Sequence, residues 1–350
     1  MSDPPEIIAD PTSIIPRDIA EAPFFVGIDV GGTGIKFGLV DNRGRSLART
    51  SIPTHQEKGP EDACERMHAV VQSIAAENQV DPHSIVHVGL ATPGTMDIAE
   101  GMLLQPHNLK AWWNFPIRDH LKKVLGKPVA FQNDANAAAY GEYWVGSGEK
   151  FRSMVLFTLG TGVGGGIIVD GKLIDGEHSH GSECGHTYID TSPNARMCGC
   201  GHRGHLEAYA SATAIVSRTN EALAAGRASS LATRIANGEK LTSLMVSQEA
   251  EKNDALSLDI VMETAVHLSY GAVNLIHIID PDVVVFGGAM DFGGMESDLG
   301  RRFLDRIRSE THSRAFKSLE GKTHISFASL GEHAGYIGAA GVARAAYAVE

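Results

Sequence analysis

Two stretches of the chain, residues 26–41 (VGIDVGGTGIKFGLVD) and 155–170 (VLFTLGTGVGGGIIVD), share one pattern: an apolar run, a Gly/Thr turn, a second apolar run and a closing Asp. Repetition of this kind constrains architecture more than any single motif. In each copy β-branched and other apolar residues flank a glycine cluster, which predicts a β-hairpin whose turn bends sharply and lets a ligand approach the backbone. Elsewhere the period changes. Apolar positions recur at helical spacing over 61–77, 207–225, 256–279 and 299–310, whereas 85–91, 128–132 and 283–286 are short apolar runs of the buried-strand type. Residues 334–348, mostly Ala and Gly with few large side chains, predict a closely packed terminal helix. Two glycine hairpins, each opening a region of strands followed by helices, predict two similar α/β lobes facing each other across a ligand-binding cleft. The expected divisions are a flexible tail over 1–22, a small α/β domain over 23–133, a large α/β domain over 134–332, and a C-terminal helix over 333–350 packing back on the small domain.

Composition narrows this picture. A chain of 350 residues has room for two cores. With 43% hydrophobic and 21% charged residues and no apolar run near the ~20 residues of a bilayer crossing, it reads as globular and without a membrane partner. The first 22 residues lack the basic start and apolar centre of a signal peptide, so a cytoplasmic location is expected. In that setting Cys64, Cys184, Cys198 and Cys200 are expected to be reduced or metal-bound. A net charge of −12 and the lack of any basic block argue against a nucleic-acid partner. That charge is compatible with ATP, whose phosphates can be held by backbone N–H groups and Mg²⁺.

Four constellations carry chemistry. Asp29-Val30-Gly31-Gly32-Thr33-Gly34-Ile35-Lys36 has the parts of a phosphate cradle: glycine N–H donors, the Thr33 hydroxyl, the Lys36 charge, and Asp29 to hold Mg²⁺ through water. It is neither a P-loop nor a dinucleotide fingerprint. Leu159 to Gly166 places five glycines in eight residues and predicts a second phosphate-contacting loop, at Thr161 and Gly162. A further glycine pair taken with this second constellation, Gly287-Gly288, follows a buried strand, where open α/β sheets bind ligands. Asn133-Asp134 ends a strand and begins a helix-favouring run. Both residue types suit helix caps, and Asp134 is expected to cap this helix and also to take a hydroxyl proton while Asn133 holds the acceptor molecule.

The fourth constellation runs from Glu183-Cys184-Gly185-His186 to Cys198-Gly199-Cys200-Gly201-His202-Arg203-Gly204-His205-Leu206-Glu207. Its spacing predicts a tetrahedral structural zinc site with His186, Cys198, Cys200 and His205 as ligands, His202 competing for one of those places. Glu183 and Glu207 flank it as acceptors for sugar hydroxyls, although glutamates are by default solvated charges. Asn108 reads as a turn residue.

In this order the segments resemble the ROK family of sugar kinases and sugar-responsive repressors, and within it the bacterial glucokinases. The resemblance is carried by Asp29-x-Gly31-Gly32-Thr33-x-x-Lys36, Thr92-Pro93-Gly94, His107-Asn108-Leu109, Asn133-Asp134-Ala135-Asn136-Ala137-Ala138, the Leu159 to Gly166 loop, Glu183-x-Gly185-His186 and Cys198-x-Cys200-Gly201-x-x-Gly204-x-x-Glu207. It implies the duplicated actin-like, ribonuclease H-like α/β fold, a homodimer, and Asp134 as general base. It further implies hexose contacts from Gly94, Asn108, Asn133, Asp134, Glu183, His186 and Glu207, ATP phosphates at Gly31 to Thr33 and at Thr161-Gly162, and the nucleoside near Gly287-Gly288. The chain departs from the family pattern twice. His205 stands where a third cysteine is usual, and Ser182 where glycine usually precedes the Glu of the sugar motif.

The activity implied is ATP-dependent phosphorylation of a hexose, glucose at its 6-hydroxyl. Other kinases of the family, acting on N-acetylmannosamine, N-acetylglucosamine, allose or fructose, are the near alternatives, and polyphosphate is an alternative donor. A sugar-sensing repressor would need an N-terminal helix-turn-helix, for which about 22 residues precede the first hairpin. A zinc-dependent interaction module would leave both glycine hairpins unexplained.

Overall fold

The computed structural model describes residues 11–106, 108–319 and 321–349. They fall into two compact units. One comprises the described parts of Met1–Lys150, Lys172–Ser182 and Ser329–Glu350; the other comprises those of Phe151–Gly171 and Glu183–Ala328.

The first unit is built on strands β1 (Phe24–Val30), β2 (Gly34–Val40), β3 (Ser46–Pro53), β4 (Ile85–Thr92) and β5 (Val129–Asn133), in the order β3-β2-β1-β4-β5. The first three are antiparallel, while β4 runs parallel to β1 and β5 parallel to β4. Alternation along β1 sends Phe24, Val26, Ile28 and Val30 into a core shared with helices α1 (Gly59–Glu77) and α2 (Ile117–Leu125), while Phe25 faces the C-terminal helix Ala334–Tyr347. That helix packs on β1, β4 and β5 and on α3 (Asp134–Val145). The buried Glu142 carboxylate of α3 accepts the N–H groups of Ser147, Ser329 and Leu330, and so fastens α3 to the segment that enters the C-terminal helix.

Because α3 belongs to this unit, the division falls after Lys150 rather than between 133 and 134 as expected. The tail expectation also changes. Residues 1–10 lie outside the described residues, but the next segment is docked: Ile15 is buried and bonds Ser46, and Arg45 donates to the Ile19 carbonyl.

The second unit repeats the plan. Strands β6 (Met154–Leu159) and β7 (Val163–Val169) form the second hairpin, and β8 (Val283–Gly288) and β9 (His324–Phe327) follow in parallel, so β7-β6-β8-β9 reproduces β2-β1-β4-β5. Its core gathers α4 (Glu207–Ala210), α5 (Ala212–Ala224), α6 (Ser230–Ala236), α7 (Ser243–Glu251), α8 (Ala255–Ile279) and α9 (Asp298–Arg314). The helix expected over 207–225 is broken at Ser211. This residue is extended (φ −82°, ψ 166°), and its hydroxyl accepts the Ala214 N–H, so it caps α5. No helix of the described residues is long and apolar enough to cross a membrane.

Candidate functional site

In the first unit the parallel strands β1, β4 and β5 bring three of the singled-out segments to one edge. Asp29 pairs in register with Ala91, Ala91 with Gln132, and Thr92 with Asn133. Asp29, the Thr92-Pro93-Gly94 turn and Asn133-Asp134 therefore leave adjacent strands at their carboxyl ends, where sheets of this kind bind ligands. The β1–β2 turn lies at the same edge. Its carbonyls are committed inward, Thr54 donating from its hydroxyl to Gly31 O (2.7 Å) and from its N–H to Thr33 O (3.1 Å). Gly32 sits against Asn108: a Cβ built there would lie 3.4 Å from the Asn108 Cβ. His107 lies outside the described residues. Gly94 has φ +95°, and a Cβ on it would come within 2.5 Å of the Pro106 Cα, so this turn admits only glycine.

Burial raises Asp29 to about 6, against the pull of Lys36 directly across the hairpin. Lys36 itself reaches Glu332, 3.1 Å from its Oε2, in a solvated pair that contributes little stability.

At the end of β5, Asn133 and not Asp134 caps α3: its Oδ1 accepts the N–H groups of Ala135 (2.9 Å) and Asn136 (3.2 Å). Asp134 is the first helical residue and takes the Ala135 N–H on Oδ1 (2.8 Å). An acidic group is favoured there by the positive end of the helix. Behind the junction, Gln132 accepts the Asn133 N–H on Oε1 (2.7 Å) and donates to Asp175 Oδ1 (3.0 Å), which also accepts from Asn136 Nδ2 (3.2 Å). Asp175 was not singled out from the sequence. Its partners lie about 40 residues away, and an Asp in a Gly/His-rich loop carries no local signal.

In the second unit the β6–β7 turn holds Thr161 and Gly162, with the Gly160 N–H donating to Gly162 O and Thr213 Oγ1 to Thr161 O (2.9 Å). Glu207 is no solvated charge: its Oε2 accepts the Val163 N–H (3.0 Å) and its Oε1 lies 3.3 Å from Cys198 Sγ. It thereby ties the glycine hairpin to the Cys/His loop. Glu183 remains half-exposed, 3.9 Å from His186 Nε2.

His186, Cys198, Cys200 and His205 converge, with one ligand atom from each within 4.8 Å of the others; His202 is outside that group. Two thiol and two imidazole donors at this spacing suit tetrahedral zinc. The loop is also fixed by protein contacts, since Arg196 binds the Glu221 carboxylate and the Ala208 carbonyl. Burial pushes the Cys198 thiol up to about 12, so thiolate ligation there requires the field of a cation.

A cavity of about 590 Å³ adjoins the β6–β7 turn, lined by Gly160, Thr161, Ser243, Leu244, Asp291 and Phe292 among others. The sequence signalled its glycine rim but not its α7 wall. Gly288, at φ +97°, has a reason within the fold, because a Cβ would lie 2.4 Å from the Leu159 carbonyl oxygen. Gly287 abuts Ala328 in the same way.

Residues 25–346 match the model of the ROK family. A glucokinase from Thermotoga maritima is 33% identical over 91% of this chain and 96% of its own length. An N-acetylmannosamine kinase from Salmonella paratyphi B is 33% identical over 81% of this chain and 87% of its own. Among solved structures, a ROK family glucokinase from Streptomyces griseus in complex with glucose and AMPPNP superposes with a TM-score of 0.74 at 30% identity, covering 92% of this chain and 99% of that one.

Proposed function

The chain belongs to the ROK family, and on that premise we propose that it is an ATP-dependent hexose kinase that transfers the γ-phosphoryl group of ATP to the 6-hydroxyl of D-glucose. The observation that carries this reading is the common strand edge of the first unit, on which Asp29, Gly94 and Asn133-Asp134 stand side by side.

Phosphoryl transfer asks the protein for position and charge more than for covalent chemistry. Asp134 takes the proton of the attacking hydroxyl. Asn133 spends its carboxamide oxygen on the cap, which leaves Nδ2 to donate to a sugar oxygen. Asn108, Glu183, His186 and Glu207 are assigned to the remaining hydroxyls, with Gly94 leaving room for the ring. The turns at Gly31 to Thr33 and Thr161-Gly162 offer N–H groups to the phosphates. Asp29 holds Mg²⁺ through water and Lys36 neutralises charge. The cavity lined by Ala289 and Met290, which follow Gly287-Gly288 in the chain, takes the nucleoside. Zinc on His186, Cys198, Cys200 and His205 is structural, because four protein ligands leave no open position.

The Salmonella relative supports a second reading, N-acetylmannosamine as acceptor. Coupled ADP detection over glucose, N-acetylmannosamine, N-acetylglucosamine, allose and fructose separates the two, with the highest kcat/KM expected for glucose. Asp134→Ala is expected to lose about 10²- to 10⁴-fold in kcat with the fold intact. Near wild-type turnover in that variant would remove Asp134 as base.

A further inference from the structure

We propose that Asp175 is a positioning residue for the Asn133-Asp134 junction, acting through the side-chain amides of Gln132 and Asn136; this rests on the reading of Asp134 as base. Gln132 and Asn136 bracket the junction, one the penultimate residue of β5 and the other in the first turn of α3, and are only 3% and 4% exposed. Their amides end on a single atom, Asp175 Oδ1, at 3.0 and 3.2 Å.

An amide presents a donor at one end and an acceptor at the other, and it fits its neighbours one way round only. With Nε2 on Asp175, Gln132 turns Oε1 to the Asn133 N–H at 2.7 Å and to Asn136 Nδ2 at 3.4 Å. Rotated by 180°, it would face that backbone donor with a second donor. The carboxylate accepts only, so it selects the orientation. Nothing else orients Asn136 from the other end, because its buried Oδ1 has no partner among the described residues.

Asp175 is itself held in place. The Gly181 N–H donates to its carbonyl (2.6 Å), Ser182 Oγ donates to the Ile174 carbonyl (2.9 Å), and Ser179 Oγ accepts the Ile98 N–H (2.9 Å). The loop is thus a rigid bracket within the first unit. It transmits to Asn133 by one backbone hydrogen bond and to α3 through Asn136. Displacement of a reacting group by about 1 Å can cost on the order of 100-fold in rate.

The test is a set of purified full-length variants assayed with glucose and Mg·ATP beside thermal unfolding. Asp175→Ala, or Asp175→Ser if the alanine variant does not fold, is expected to lower kcat by about 10- to 100-fold with the KM for ATP within about threefold of wild type. Asp175→Asn keeps an acceptor oxygen and is expected to recover most of that loss. Gln132→Ala is expected to lower kcat similarly, and Asp175→Ala/Gln132→Ala to be no slower than the worse single variant, because Gln132 acts only as Asp175 orients it and its path is already lost in Asp175→Ala. A kcat within about twofold of wild type for Asp175→Ala and Asp175→Ser, losses that multiply in the double variant, or Asp175→Asn as slow as Asp175→Ala would each overturn the proposal. Asp134→Ala in the same series keeps the two readings apart: if it stays active, the base assignment fails, whatever Asp175 does.

Discussion

Asn133 and Asp134 are adjacent and both are good helix starters, and the expectation from sequence placed the cap of α3 at Asp134. The backbone decides, since the cap residue must be extended and the next one helical; Asn133 has φ −65° and ψ 145°. Asp134 is therefore the first helical residue, with its Oδ1 on the Ala135 N–H. Asp29 yields a pH prediction. Its folded pKa, about 6, lies above the ordinary 3.8, so the folded chain binds this proton more tightly than the unfolded one. The associated stability is complete below about pH 4 and is lost as pH rises through about 6. Asp29→Asn, which mimics the protonated side chain, should therefore be more stable than wild type at pH 8, by at most about 3 kcal/mol, and equal to it below about pH 4. Thermal unfolding of both proteins across that range checks this, and an asparagine variant no more stable at pH 8 contradicts it. Ser182, visible in the sequence as a departure, has φ +68°, which explains why glycine is the easier residue there.

At the scale of elements, what the sequence showed and what it hid have separate physical causes. The hairpins and the strands over 85–91 and 283–286 were legible because both faces of those strands are buried and their runs are nearly unbroken. β3 escaped because an exposed strand needs few apolar residues: only Ser46 and Leu47 of its eight residues are buried. The break at Ser211 escaped because helical periodicity continues across it, and one hydroxyl cap is a weaker signal than the pattern it interrupts. The C-terminal helix was legible from its Ala/Gly content, but the reason for the glycines is tertiary. A Cβ on Gly338 would lie 1.6 Å from the Ala137 carbonyl oxygen of α3, and the Cβ of a side chain on Gly89 of β4 would strike the Ala339 carbonyl at 1.8 Å. These backbones cannot yield as a side chain can. Gly338→Ala should therefore cost about 3 kcal/mol or more, at the upper end of overpacking penalties. Urea unfolding with an unchanged m-value would show it as a lower midpoint; an unaltered midpoint would mean that the two helices are not in such close contact.

For the molecule as a whole, two cores with the same strand order explain why one chain carries two glycine turns, and why the Cys/His loop should matter to one core more than to the other. Zinc at His186, Cys198, Cys200 and His205 would join the segment after β7 to the start of α4, all within the second unit. Part of that loop is pinned without metal by Arg196 and by the Tyr209 hydroxyl on Asp190 (2.6 Å). Zinc removal should then loosen the loop without unfolding the chain. Native mass spectrometry is expected to find one zinc per chain, retained in His202→Ala and lost in His205→Ala, because only His205 stands with the other three ligands. Stripping the metal with a chelator should lower the apparent Tm of the second unit by about 5–10 °C, the equivalent of roughly 2–4 kcal/mol in a cooperative unit of that size. The change should also be local. Amide hydrogen exchange should speed up across residues 184–206 and leave β1 and β4 as they were, since those strands draw on the other hydrophobic core. Uniform acceleration through both units would show that the metal supports the whole molecule, and no acceleration anywhere would show that the four side chains hold no structural ion.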